Sequence, residues 1–465
     1  MMGRLPAGQN QLFYEFCLDK HVPEGHVLRA LDRFLDFAQI REHLAAYYSD
    51  IGRPSIDPEL MIRMLLVGYC FGLRSERRLC EEVHLNLAYR WFCRLGLEDQ
   101  VPNHSTFSKN RHGRFRDSEL FRFVFETVVE RCIDEGLVGG EGFAVDASII
   151  KADAHRRRGF PGEEGVEWER PGRKTRAVRE YLNALENDAK AVQAHEATRK
   201  AISLTDPASC WTSAPGGPAF YAYSTNYLID MDSAIILDTQ ASSATLSEEA
   251  QAARTMIEHT EARFALKPKH LAGDTGYGSA QMLGWLVEEK QITPYIPVHD
   301  KSEGKEGQLG RSDFTWEAEA ERYVCPNGKP LGRNLRKFKN KRTGVTKANT
   351  IIYRASKVDC APCPLKARCC PKEPARKIHR SIHEDARDVA RALATTEAYA
   401  QSRNDRKKVE MLFAHLKKIM RFERLRLRGP TGAQDEFCLA ATVQNLRKLA
   451  KLDGMDPTLF FKGFE

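Results

Sequence analysis

No stretch of this chain stays apolar for long. The N-terminus, MMGRLPAGQNQLFYEF, has no apolar core followed by a cleavage site, so it is not a secretory signal. No run approaches the roughly 20 apolar residues needed to span a bilayer. Both absences point to the cytoplasm and away from a membrane partner. In that reducing compartment the twelve cysteines are not read as disulfides. Seven of them are scattered and suit small apolar filler positions. Acid is also missing where base is dense. From Lys329 to Lys347 there are eight Lys/Arg and no Asp or Glu. Over 465 residues the formal charge is only +8, so the excess is local and lies in the second half. Nucleic acid is the polyanion such a patch suits best, against the common alternative of a solvated charge run.

What is present is long enough for two or three domains with a large core. Residues from about Gly25 to Gly139 read as helices. IDPELMIRMLLVGY has a proline near its start and an apolar helical period, and Ser75 is a plausible cap for SERRLCEEV. NHSTFSKNRHGRFR follows a break at Pro102, with Asn103 or Ser105 as cap and Lys109, Arg111, Arg114 and Arg116 expected on the surface. SELFRFVFETVVERCIDEG is then a long amphipathic helix. Short helices, a turn and a basic helix fit a helix-turn-helix, and equally an ordinary bundle with a basic surface.

At Gly142 the pattern changes. FAVDASII is a strand with Asp146 in its middle, and an acid there is costly unless it pairs or binds a metal. Residues from Phe160 to Ser203 look like a solvated helical excursion, and FYAYSTNYLID with SAIILDTQAS forms an antiparallel hairpin. In KHLAGDTGYGS a short strand runs into a glycine-rich turn. Gly273, Gly276 and Gly278 would let the backbone turn sharply and approach a ligand. Asp274 therefore stands at the C-terminal end of a strand, where α/β sheets place their active sites.

From about Asp300 the pattern breaks into short strands: FTWEAEAERYVC, PLGRN and NTIIYRAS. Cys325, Cys360, Cys363 and Cys369 have the spacing of a four-cysteine zinc site, with Cys370 as a substitute for the last. Zinc could hold together a β insertion with little core of its own. Reduced structural cysteines are the equal alternative. The chain then reads as helical, and Arg403 to Arg428 reads as one helix with ten Lys/Arg against three Asp/Glu. Arg403, Arg406, Glu410 and Lys417 share its polar face, while Val409, Leu412, Phe413, Leu416 and Met420 form an apolar face that can pack on a sheet. GAQDEFCLAATVQNLRKLAKL closes the chain as an amphipathic helix.

Three acids stand out: Asp146 in a strand, Asp274 at a strand end and Glu410 on a late helix. Carboxylates at such places can converge on two divalent cations that clamp the oxygens of a phosphoryl transfer, and hard oxygen donors favour Mg²⁺. With FAVDASII, HLAGDTGYGS and the Glu410 helix in view, the sequence resembles bacterial insertion-sequence transposases of the DDE type. Their signature helix has Tyr, two residues, Arg, three residues, Glu, six residues, Lys. Arg406, Glu410 and Lys417 match its last three positions, and Arg403 stands where the Tyr would be. RPSIDPELMIRMLL and PNHSTFSKNR resemble the leader domain of the same family.

The resemblance implies an α/β fold with a ribonuclease-H-like mixed sheet flanked by helices. It implies a helical DNA-binding domain over residues 1–139, a catalytic core over 140–299 and 397–465, and a β-rich insertion over 300–396. Asp146 and Asp274 would share Mg²⁺ (or Mn²⁺), and Glu410 would complete a second metal site. An activated water would cut the 3′ end of the element, and the freed 3′-OH would attack target DNA. Arg403, Arg406 and Lys417 would contact phosphates near the cut, and Lys109 and Arg111 would touch the terminal inverted repeats. The resemblance also implies a homodimer holding both ends. Two rivals are a nuclease of the same fold without strand transfer, and an inactive DNA-binding derivative.

Overall fold

A computed structural model describes residues 16–49, 51, 55–170, 172–213, 216–300, 307–333 and 343–452. The N-terminal residues 1–15, on which the signal-peptide reading rests, and residues 334–342 of the basic stretch lie outside the described residues. The architecture is mixed α/β, with helices and both parallel and antiparallel strand pairs. Two compact units divide the chain: residues 1–139, 147–266 and 408–465 in one, residues 140–146 and 267–407 in the other. Among the described residues no helix is long and apolar enough to cross a membrane.

In the first unit the N-terminal helices begin where capping chemistry allows. Asp57 caps Pro58–Cys70, Ser75 caps Glu76–Leu85 and Asn103 caps His104–His112. These helices do not close a core by themselves. Val27–Arg33, Pro58–Cys70 and Leu120–Asp134 all pack on the last helix, Gly429–Leu452. That helix was expected to be amphipathic, yet Phe437, Cys438, Leu439, Ala440, Ala441, Val443 and Leu446 are all fully buried. A helix covered on every side is a core element rather than a surface one.

One carboxylate links the N-terminal helices to this core. Glu436 is completely buried. It pairs with Arg74, accepts from the Tyr69 hydroxyl at 3.2 Å, and lies 4.0 Å from Arg111. Burial pushes the Tyr69 hydroxyl up to about 12, with the charge of Glu436 adding to it and Arg74 and Arg111 opposing. Arg111 and Arg116 therefore correct the expectation of a basic exposed face. Arg111 is buried, donating to Tyr69 at 2.9 Å and pairing Glu76 at 3.3 Å. Arg116 is buried against Thr431 and the Arg428 carbonyl. On this helix of 9 residues Phe107 and Arg111 are inside, while Ser105 and His112 are exposed. Lys109 does remain exposed.

The hairpin is present as Phe220–Asp230 and Ile236–Ser243, with Cys210–Thr212 antiparallel to the first strand. The end of strand Gly142–Lys151 lies beside it, where the Ala152 N–H donates to the Tyr221 carbonyl at 2.9 Å. The charged excursion is less solvated than its composition implied. Trp168, Val178, Tyr181, Val192 and Ile202 form a cluster of their own, and Trp168 Nε1 donates to buried Glu196 at 2.7 Å.

In the second unit three strands run parallel. Residues 142–144 of the Asp146 strand pair with His270–Ala272, and these pair with Thr293–Tyr295. The insertion is a five-stranded antiparallel sheet in the order Lys377–Ser381, Thr350–Ala355, Pro330–Arg333, Arg322–Val324, Thr315–Glu317. Lys377–Ser381 was not anticipated as a strand. Nor is the insertion short of core: Phe314, Tyr323, Leu331, Tyr353 and Ile378 are buried together. Trp316, Tyr323 and Tyr353 pack edge-on or tilted with ring centres 4.9–5.6 Å apart.

Candidate active site

Phe143, Ala144 and Val145 are fully buried, so the strand that carries Asp146 is anchored from its start. Asp146 follows at the point where burial relaxes, with its side chain 16% exposed. The cost of an acid in an apolar strand is offset by a cation: Arg406 Nη1 donates to Asp146 Oδ2 at 3.3 Å. Arg406 follows the helix Glu397–Asp405 and keeps its N–H bonded to the Ser402 carbonyl at 2.9 Å.

The second acid follows the neighbouring strand. Gly142, Phe143 and Ala144 face His270, Leu271 and Ala272 in parallel. The pairing ends there, and Asp146 and Asp274 each follow two residues beyond it. A Cβ added to Gly273 would come within 3.3 Å of Val145. Asp274 keeps an extended backbone, φ −84° and ψ −179°. Residues two apart on a strand share a face, and adjacent strands lie ~4.8 Å apart. Asp274 itself lies past the strand His270–Ala272, at the start of the turn Thr275–Tyr277.

The Asp274 carboxylate has a local task as well. Its Oδ1 accepts from the Gly276 N–H at 2.8 Å and closes the turn Thr275–Tyr277. The glycines of this turn do not use left-handed backbone; none of the three has a positive φ. Gly278 is needed for a different reason. A Cβ there would run into the Pro297 carbonyl, and the Gly278 carbonyl accepts from the His299 N–H at 2.9 Å.

Glu410 lies in the first turn of Lys407–Lys418 and is exposed. An acid at that end of a helix is favoured by the unpaired N–H groups. The opposite face is held as expected. Val409 and Leu416 are fully buried, and Phe413 stacks on Tyr227 of the hairpin at 4.7 Å. Lys417 is half-buried, and burial lowers its pKa despite the opposing field of Glu423. Arg403 is exposed at the end of Glu397–Asp405. The long single helix ends early, however. Arg421 takes a left-handed φ of 52°, and residues 419–428 are not helical. Met420, Phe422, Leu425 and Leu427 must all be buried, and their spacing of two, three and two residues fits no helix.

The cysteines gather in the insertion. Cys325, Cys360 and Cys369 pack on its aromatic core, and Cys325 Sγ accepts from the Lys329 N–H at 3.3 Å. Burial pushes the Cys369 thiol up to about 11, with Cys370 adding to the effect. Cys363 is half-buried and Cys370 buried. Among the described residues no group of three or more His, Cys, Asp or Glu is arranged so that it could hold a metal ion.

Against this geometry, comparison with known families is decisive. A family model described as a transposase domain (DUF772) matches residues 16–113, and one described as a transposase DDE domain matches residues 324–450. These two matches support an insertion-sequence DDE transposase. No curated protein and no solved structure matches the transposase. The first match covers the capped N-terminal helices. The second covers the cysteine-bearing insertion and the Glu410 helix, and Asp146 and Asp274 lie outside both.

One residue of the transposase escaped the reading of its sequence. Tyr399 lies one helical turn before Arg403 and meets Tyr295, on the third parallel strand, edge-on at 6.2 Å. Burial raises its hydroxyl pKa, and Arg403 and Arg406 pull the other way. An aromatic four residues ahead of Arg403 was the available signal.

Proposed function

We propose that the transposase cuts the ends of its element and joins them to target DNA on a ribonuclease-H-like core, with Asp146, Asp274 and Glu410 as the catalytic acids. The single observation supporting this reading is that Asp146 and Asp274 each lie two residues beyond the paired parts of neighbouring parallel strands. Two carboxylates at one level offer hard oxygen donors, which suit Mg²⁺ or Mn²⁺. A metal pair bound there would polarise the scissile phosphate and stabilise charge on the attacking and leaving oxygens. Arg406 holds Asp146 in place before DNA arrives and then shares its charge with a phosphate. Glu410, four residues beyond Arg406, supplies the third acid. Arg403 and Lys417 contact the DNA backbone on either side of it, and Lys109 lies on the helix that meets the terminal repeats. Two copies acting together would hold both ends.

The test is a duplex carrying the element's end sequence, incubated with full-length protein and Mg²⁺ or Mn²⁺. Nicking at the 3′ end and strand-joined products are the expected result. Cleavage without joining would reduce the protein to a nuclease, and metal-independent binding without cleavage to an inactive derivative.

We also propose that Cys325, Cys360, Cys363 and Cys369, which are not arranged for a metal in this structure, draw together on Zn²⁺. The Lys329 N–H already aimed at Cys325 Sγ is the kind of donor that stabilises a thiolate ligand. The purified protein should carry one zinc per chain, and Cys360→Ser should lose it. A zinc-free native protein would sink this part alone.

A further inference from the structure

The segment after the Glu410 helix alternates. Phe422, Leu425 and Leu427 point inward and are essentially unexposed, while Arg424, Arg426 and Arg428 face solvent. Its backbone is pinned from several sides. Residue 424 forms a parallel bridge with Lys151, and the Leu425 N–H donates to the Lys151 carbonyl at 2.8 Å. Buried Glu436 accepts from the N–H groups of Arg426 and Leu427, both at 2.6 Å. Arg116 Nη2 donates to the Arg428 carbonyl at 2.7 Å.

The side chains are ordered too. Asp153 accepts from Arg424 Nη2 at 3.1 Å and from Arg428 Nε at 2.9 Å. Arg426 has no anionic partner among the described residues. Beyond Asp153 the turn continues into Arg156, Arg157 and Arg158, all exposed. Only Asp153 and Glu423 offset this charge on the two segments.

Ordinary surface arginines sit on mobile stems and lose rotamer freedom when they bind. Here the backbone is fixed by a buried carboxylate, and two of the guanidinium groups are already held by Asp153. We propose that Arg424, Arg426 and Arg428, with Arg156–Arg158 beside them, form a preformed ridge that grips the phosphate backbone of duplex DNA without reading bases. The inference rests on the reading that this protein acts on DNA, and it adds residues that neither the signature helix nor the basic stretch Lys329–Lys347 includes.

The experiment measures binding of the full-length protein to a duplex without divalent metal, across salt from roughly 50 to 200 mM. Each lost phosphate contact lowers the slope of log affinity against log salt by ~0.9. Arg424→Ala, Arg426→Ala and Arg428→Ala combined should lower it by about 2–3, equally on end-sequence and unrelated duplexes. Arg426→Ala alone, which disturbs no ion pair, should lower it by about 1 and serves if the triple variant does not fold. An unchanged slope in Arg426→Ala, or a loss confined to one DNA sequence, overturns the ridge. Wild-type protein that binds no duplex at all overturns both the ridge and the transposase reading.

Discussion

Asp274→Asn should reduce DNA cleavage by about a thousandfold or more, while leaving affinity for the end duplex within about threefold. The substitution is chosen for what it keeps. Asparagine retains a side-chain oxygen that can accept the Gly276 N–H, so the turn Thr275–Tyr277 survives the loss of charge. What goes is a hard anionic donor beside Asp146. Asp146→Asn should have the same effect on cleavage, and it also leaves Arg406 without the charge it faces at 3.3 Å. Single-turnover cleavage of labelled duplex, with binding measured in parallel, reads both quantities. An Asp274→Asn protein that keeps a tenth of wild-type cleavage would remove Asp274 from the catalytic set.

Glu436→Ala should be the most destabilising single change away from the acids. It leaves Arg74 with no carboxylate, Arg111 with Glu76 alone, and the N–H groups of Arg426 and Leu427 without their acceptor. Removing one partner of a buried ion pair typically costs ~3–5 kcal/mol. Melting of the first unit should fall by several degrees. The pH dependence follows from the direction of the shift. The neighbouring arginines and backbone donors outweigh burial and hold the Glu436 carboxyl below its ordinary value. Its contribution is therefore complete above the ordinary carboxylate range and is lost as pH falls through the lower folded value. Wild-type stability should drop on the acid side, and the alanine variant should show a flatter acid limb. Equal melting temperatures for the two proteins at neutral pH would show that the network contributes nothing.

The candidate acids stand out in the sequence because they break local rules. Asp146 interrupts an apolar strand, and Asp274 sits where a strand meets a glycine-rich turn. Asp146 pairs with Arg406 and Asp274 caps its turn, and each follows two residues after the paired stretch of its strand. Arg111 was misread for the opposite reason. A helix with a basic residue every two or three positions does not reveal which cations turn inward, and the groups that hold Arg111, Tyr69, Glu76 and Glu436, all lie on other elements. The end of the Glu410 helix could have been read correctly. MRFERLRLR has apolar residues at a spacing close to two, and only its excess of helix-favouring arginine and leucine suggested otherwise. The strength of the insertion's core was hidden as well, because Phe314, Trp316, Tyr323 and Tyr353 are split by loops and meet only when the strands pair.

The place of Gly429–Leu452 at the centre of the first unit bears on when this protein can act. Helices made at the start of synthesis wait for a partner encoded almost at the end. At ~5–20 residues per second, the ribosome needs roughly 15–60 s to travel from residue 139 to that helix. Through that interval the faces of Pro58–Cys70 and Leu120–Asp134 that will cover it have no permanent neighbour. A chain interrupted before residue 429 would retain most of the acids and cations named above, yet lack the element that assembles them. Partial products should therefore be insoluble or quickly degraded rather than dominant competitors for DNA ends.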